Sequence, residues 1–309
     1  MAEKRKFYGM RNDYMFHAVL QKNEEVLRNL LATLLEIDEA EIESCHIENP
    51  IELGKEIEGK ECILDVKLTL NNDKVINIEL QVYKQTYWIN RSLLYWARTY
   101  DNLKSGQDYS MLLPAYHIGI LDFTLFENHP KFMAQYQILD VEDGYLYSDK
   151  LCIKVLDLTQ LEKAKQEPET NKKLLKWASI FKAETLEELE QLASGEEVFE
   201  NMVVTMKKLS EDEKIRMQCE AREDYERSLL TEYNAGKSEG IEQGIASERG
   251  NTEKESQRAE KERQRAEKER QRAEKESQRA EKESQRAEKE SQRADALAAE
   301  VERLRVLLK

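Results

Sequence analysis

The chain is predicted to fold as an α/β core followed by a helical extension and a long charged C-terminal helix, on three observations. Between residues 62 and 82 the apolar residues recur every second position, whereas the flanking segments show helical spacing. The aliphatic and aromatic residues are concentrated before about residue 210. From Glu253 onward a charged unit of seven residues repeats.

At 309 residues the chain is long enough for one domain of ordinary size plus further material. Charged residues make up 36% and the mean hydropathy is -0.77, so the part beyond the apolar-rich body is expected to be solvated. No stretch approaches the ~18 consecutive apolar residues of a membrane helix, which removes a membrane partner. The N-terminal MAEKRKFYGM has no apolar run, so no secretory leader is expected. Cys45, Cys62, Cys152 and Cys219 are scattered without zinc-like spacing, which suits reduced thiols in a cytoplasmic protein. The formal net charge of -14 offers no broad basic footprint, so a nucleic-acid partner would need a local basic groove.

Residues 11–35 carry Phe16, Leu20, Val26, Leu27, Leu30, Leu31 and Leu34 mostly at helical spacing. Two helices with a break near residues 21–23 fit this pattern, with Asn12 or Asp13 capping the first. In 62–70, Cys62, Leu64, Val66, Leu68 and Leu70 share one face, and Ile63, Asp65, Lys67 and Thr69 share the other. Asn71, Asn72, Asp73 and Lys74 form a turn signal. Residues 75–82 then place Ile76, Ile78, Leu80 and Val82 against Asn77, Glu79 and Gln81. This is a hairpin with one apolar and one polar face.

Residues 86–105 read as a helix with Tyr87, Arg91, Leu94, Tyr95 and Arg98 on one stripe. Strands at 115–123 and near 151–158 would complete a small mixed sheet. From Pro168 to about Leu230 the spacing is helical, with Leu174, Leu175, Trp177, Ile180 and Phe181 as an apolar cluster. Gly236, Gly240 and Gly244 follow at four-residue spacing. Each costs a helix interior about 1 kcal/mol against Ala, so the segment reads as a soft joint or a small-residue helix face.

Six copies of EKE(S/R)QRA run from Glu253 to Ala294, with 12 Glu against 14 Lys and Arg. Taking Ala as one seam position puts Glu at the next, which buries little. Leu297, Val301, Leu304 and Leu308 continue the Ala294 phase with apolar residues. An extended charged helix ending in a short zipper, and hence a possible homo-oligomer, is the reading; a disordered charged tail is its alternative.

The hairpin is where chemistry is concentrated. Burying one face restricts its register to even offsets. One short-turn register opposes Asp65 to Glu79, and another opposes Asp65 to Gln81 and Lys67 to Glu79. Directly opposed side chains lie about 5 Å apart at Cβ, so Asp65, Glu79 and Gln81 converge in either case. Two carboxylates that close repel unless a cation separates them or one holds a proton. Hard oxygen ligands favour Mg2+, or Mn2+, with the Leu80 carbonyl as a further ligand. That set suits phosphodiester hydrolysis.

These residues resemble a known family. The hairpin ILDVKLTLNNDKVINIELQ is similar to the PD-(D/E)XK nuclease superfamily, which carries Asp on one strand and (D/E)-x-K on the next. More closely, the chain resembles the Rpn family of recombination-promoting nucleases, also described as PD-(D/E)XK family transposases. The resemblance is carried by NDYMF at 12–16, LDVKL at 64–68, NIELQ at 77–81, RSLLYWARTY at 91–100 and YSMLLPAYHIGILDFTLF at 109–126. LLKWASIF at 174–181 and the Gly-spaced segment at 236–244 add to it. It covers about residues 9–250 and leaves out the heptad tail.

The resemblance implies a restriction-endonuclease-like PD-(D/E)XK core at 1–160, which the residue spacing follows with a helical extension at 161–235, a Gly-spaced joint at 236–250 and a heptad-repeat charged helix or coiled coil at 251–309. It implies Mg2+-dependent cleavage of DNA, linked to recombination or mobile elements, with Asp65 and Glu79 as metal ligands. Gln81 stands where the superfamily has Lys; it donates hydrogen bonds but cannot supply a cation. Asp13 matches the early acidic residue and would orient the metal or its water.

Blander readings accompany each residue. A polar strand face is ordinarily a solvated one, and Lys67 is expected to be so. Arg91 and Tyr95 would brace the site, touch the DNA backbone, or merely pack helix on sheet. His117, like His17, His46 and His129, reads as structural. No Ser-His-Asp set and no phosphate-binding GxxxxGK(S/T) loop occurs. Two alternatives stand beside the DNase: a lapsed nuclease fold that assembles through its tail, which the acidic charge favours, and an RNA substrate.

Overall fold

The hairpin register is the first of the two that the alternation allows. The computed structural model describes residues 6–51, 53 and 65–307, without the side chains of 302 and 304–307. Strand β2 (Val66–Leu70) pairs antiparallel with β3 (Lys74–Gln81), with Val66 opposite Ile78 and Lys67 opposite Asn77. That alignment carries Asp65, just before β2, to the level of Glu79. The turn places Asn71 and Asn72 at φ 50° and 55°, a left-handed conformation that Asn tolerates better than other non-glycine residues. The expected strand residues Cys62, Ile63 and Leu64 lie outside the described residues.

Among the described residues, six strands form one mixed sheet in the order β1 (Cys45–Ile47), β2, β3, β4 (Ala115–Leu121), β6 (Leu146–Asp157), β5 (Met133–Leu139). β3, β4 and β6 run parallel at its centre, and the outer pairings are antiparallel. Period-two spacing found β2, β3, β4 and β6. It missed β1, too short for the pattern, and β5, which has only Ala134 fully buried among its residues.

One face of the sheet contributes Val66, Leu68, Leu70, Ile76, Ile78, Ile118, Ile120 and Leu156 to the main core. Against it lie α1 (Asp13–Lys22), α2 (Glu24–Leu35), α5 (Lys172–Lys182), α6 (Leu186–Ala193) and α7 (Glu197–Glu211). Asn12 caps α1 by accepting from the Met15 N–H at 3.1 Å, and Asn23 caps α2 by accepting from Val26. The break expected near 21–23 is therefore a capped junction. Of the predicted cluster, Leu174, Trp177, Ile180 and Phe181 are buried and Leu175 is half-buried. Trp177 donates to the side chain of Asn29, which ties α5 to α2.

The opposite face carries α3 (Trp88–Tyr100), the crossover between β3 and β4. Trp88 packs there with Leu121, Phe123, Leu151, Ile153 and Val155. The buried side of α3 is set by Trp88, Ser92 and Thr99; from the expected stripe, Arg91 and Tyr95 turn partly inward while Tyr87 and Leu94 are exposed. The stripe missed because Trp88 and Ser92 seat the helix on a sheet face that is itself partly polar.

A short helix α4 (Leu161–Ala164) follows β6, and α8 (Glu213–Leu307) runs unbroken through Gly236, Gly240 and Gly244 and the heptads. The chain divides into compact units at 1–231 and 232–309. No helix among the described residues is long and apolar enough to cross a membrane.

Candidate active site

The polar face of β3 is covered by α3 and not by solvent, and this turns a row of polar residues into a site. In β3 the period of two sends Asn77, Glu79 and Gln81 to the α3 side. The parallel alignment sets His117 beside Asn77 and Gly119 beside Glu79. Glu79 is only 1% exposed, and Asn77 and His117 are buried as well.

A chain of polar contacts links the two hairpin carboxyls. The Asn77 amide donates to Asp65 Oδ2 at 3.2 Å and reaches His117 Nδ1, also at 3.2 Å. An amide nitrogen carries two protons, so it serves both partners. With Nδ1 accepting, the ring proton sits on Nε2, which lies 3.4 Å from Glu79 Oε2. From α3, Arg91 Nε stands 3.0 Å from Glu79 Oε1. Neither Glu79 oxygen receives an aligned hydrogen bond, so Arg91 makes a charge contact off the hydrogen-bond axis and the His117 ring a dipolar one. A carboxylate so buried and so poorly satisfied is costly, and a cation on its free lone pairs would satisfy it.

Asp65 bears the electrostatic consequence. Burial chiefly, and then the neighbouring Glu79 carboxylate, push its carboxyl up to about 7, while Asn77 and Arg91 act against the rise. Asp13 adds a smaller push in the same direction. Asp13 caps nothing. It is buried at the start of α1 and held by Arg222 of α8 through two guanidinium nitrogens. Close by, Glu226 of α8 is pushed up to about 7 by burial and by Asp13, with Arg222 acting against it.

Asp65, Glu79 and Asp13 are thus brought into one electrostatic cluster. Gln81 lies at its edge, half-buried, with its amide donating to the Tyr83 carbonyl at 3.3 Å. Lys67 pairs with Glu48 at 3.0 Å, a surface ion pair as the blander reading expected. His117, read as structural, touches Glu79, and Asn77, Arg222 and Glu226 were not singled out at all. Alternation in 115–121 marks His117 and Gly119 as one face, but no local signal reports which β3 residues they adjoin.

Among the described residues no group of three or more His, Cys, Asp or Glu side chains is arranged to hold a metal ion. The pair of Asp65 and Glu79 remains, and two carboxylates match the way Mg2+ is ordinarily held, with water and substrate phosphate completing its shell. The unsatisfied oxygens of Glu79 fit that role.

A family model described as PD-(D/E)XK nuclease family transposase matches residues 10–233. The chain belongs to the PD-(D/E)XK nuclease transposase family. The match takes in the whole sheet, α1 to α7 and the first turns of α8 that bring Arg222 and Glu226 to the site, and it stops before the heptads. The mixed sheet and flanking helices agree with the α/β PD-(D/E)XK fold expected of the family. No curated protein matches the chain, and no solved structure does.

Proposed function

We propose that this member of the family is a divalent-cation-dependent endonuclease that hydrolyses phosphodiester bonds in DNA, with Asp65 and Glu79 holding Mg2+ or Mn2+. The observation that carries the reading is Glu79, a buried carboxylate whose two oxygens lack aligned hydrogen bonds, level with a proton-retaining Asp65. When bound, the cation would polarise the phosphoryl oxygen and make a water more acidic. The chain's own residues position that chemistry. Asn77 and His117 fix the rotamers of the two carboxyls through their shared contact. Gln81, on the rim, offers a hydrogen-bond donor to a phosphate oxygen. Asp13, anchored by Arg222, orients water at the mouth of the site. A role in recombination or mobile-element movement rests on the family description alone.

The net charge of -14 favours a second reading, a lapsed nuclease fold used for assembly. Nicking of supercoiled plasmid under Mg2+ and Mn2+ separates the two, with Asp65→Ala and Glu79→Ala as controls. The wild type is expected to nick and both variants to lose at least about 100-fold, the scale at which electrostatic transition-state contacts act. Intact plasmid across a range of divalent cations would overturn the enzyme reading, and preferential loss of RNA in a parallel digestion would overturn DNA as the substrate.

The second unit supports assembly with another copy of the chain. Counting back in sevens from Val301 and Leu297 reaches Ile245 and Ile241, so one heptad frame joins the two apolar ends, with Ala at six of the intervening repeats and Thr252 at the first. In the single chain these four residues are between 48% and 65% exposed. A seven-residue stripe drifts about 20° per heptad on a straight helix, so it stays on one seam only when two helices supercoil. The Ala/Glu middle contributes little, and the apolar ends, with Leu304 and Leu308 continuing the frame in sequence, hold the pair.

A further inference from the structure

Arg91 occupies an unusual position for a surface-accessible cation. Its side chain is 24% exposed, yet its Nε approaches the almost fully buried Glu79 to 3.0 Å. The contact is not an aligned hydrogen bond, and Arg91 Nε has no other hydrogen-bond partner. The rest of the guanidinium is lightly held: Nη1 lies 3.3 Å from the Gln85 side chain, and the group stacks at 5.0 Å from the centroid of the Tyr95 ring. Tyr95 sits one turn further along α3, so it can support the guanidinium in more than one lateral position.

On this geometry we propose that Arg91 is a displaceable plug: it supplies the positive charge Glu79 needs without a metal, and once a divalent cation takes Glu79 it turns to hold a phosphate of the DNA. The inference rests on the reading of Asp65 and Glu79 as metal ligands and goes beyond it. Arg91 and the metal compete for one carboxylate oxygen, so each weakens the other's hold. Released, a guanidinium on an aromatic face beside a metal site is suited to phosphate, since its planar fork takes two oxygens at once. Arg91 therefore lowers metal affinity while raising DNA affinity. A residue that merely buttressed the site would support both.

The test is done on the full chain with Arg91→Gln and Arg91→Lys, each checked for wild-type folding by tryptophan fluorescence. Mn2+ binding without DNA is measured by calorimetry. Binding of a labelled DNA duplex is measured by anisotropy in Ca2+, with the DNA verified intact, over a salt series. Arg91→Gln is expected to tighten Mn2+ binding about tenfold, the effect of one charge at contact distance. It should also weaken DNA binding and reduce the salt slope by about one phosphate contact. Arg91→Lys, which keeps the charge but loses the fork, should stay within about threefold for Mn2+ and bind DNA less well than wild type.

Weaker or unchanged Mn2+ binding in Arg91→Gln overturns the plug, and so does an unchanged salt slope. Should Arg91→Gln fail to fold, the Lys variant decides: wild-type DNA binding there overturns the phosphate role. If neither wild type nor Arg91→Gln takes up Mn2+, the metal site and the plug fall together; if both bind Mn2+ equally, only the plug falls.

Discussion

Gly119 of β4 lies directly under the indole of Trp88: a Cβ built on Gly119 would sit 2.3 Å from Cζ2 of that ring. Trp88 is 1% exposed and cannot swing out of the way, so only glycine fits here. The same glycine adjoins Glu79 in the parallel register, and the Trp88 ring lies 5.9 Å from that of His117. The depth at which Glu79 is buried thus depends on a missing side chain in the neighbouring strand.

Gly119→Ala is accordingly expected to cost about 2 kcal/mol, typical of overpacking. Combining it with Trp88→Leu should recover part of that loss. Urea unfolding followed by tryptophan fluorescence reads the first unit alone, because Trp88, Trp96 and Trp177 all lie within it. Stability equal to wild type in Gly119→Ala would show that the indole has room to move.

The Asp65 carboxyl, raised from 3.8 to about 7, sets a pH dependence of known sign. Between those values the folded chain holds a proton that the unfolded chain releases, so this group's contribution to stability falls as pH rises from about 4 to 7. Glu226 contributes in the upper part of the same window. Subtracting the profile of Asp65→Asn isolates Asp65. A cation must displace the Asp65 proton, so apparent Mn2+ affinity should rise up to tenfold per pH unit below about 7 and level off above it. A Mn2+ affinity independent of pH between 5.5 and 7.5, outside the range in which Mn2+ hydrolyses, would show that Asp65 is not a ligand.

Asp13 and Arg222 form an ion pair with side chains 12% and 11% exposed. Arg222→Ala leaves the Asp13 carboxylate without this partner and is expected to cost about 3 kcal/mol, the loss typical of breaking a buried pair from one side. The double variant Asp13→Asn, Arg222→Ala should be less damaged than Arg222→Ala alone. Additive losses in the double-mutant cycle would mean the two side chains do not depend on each other.

Pairing through the heptad frame predicts a particle of about twice 36.3 kDa. Leu297→Asn with Val301→Asn should return it to the monomer mass in light scattering without altering the unfolding of the first unit, since both residues are exposed in the single chain. A wild-type mass of 36.3 kDa at all concentrations would remove the pairing.

Much of this was legible in the residue order because it depends on local geometry. Alternation in 62–70 and 75–82 defined a hairpin with a polar face, Asn12 or Asp13 marked the first helix start and a break near 21–23 the second, and the heptads defined a helix frame. An acidic pair at that hairpin could be located because an antiparallel register has few short-turn solutions. The stripe on α3 was misjudged at Tyr87 and Leu94, since a helix over a partly polar sheet face need not bury its most apolar side.

The amino-acid order by itself determined which residues face together on each strand and helix, and therefore that Glu79 and Gln81 share the strand face to which the hairpin brings Asp65. Only the tertiary structure decided what surrounds them. His117 reaches Glu79 through a parallel alignment with β4, Arg91 through the seating of α3, and Arg222 reaches Asp13 from more than two hundred residues away. Such contacts are selected by packing across the whole core, where the energy of fit belongs to no single segment.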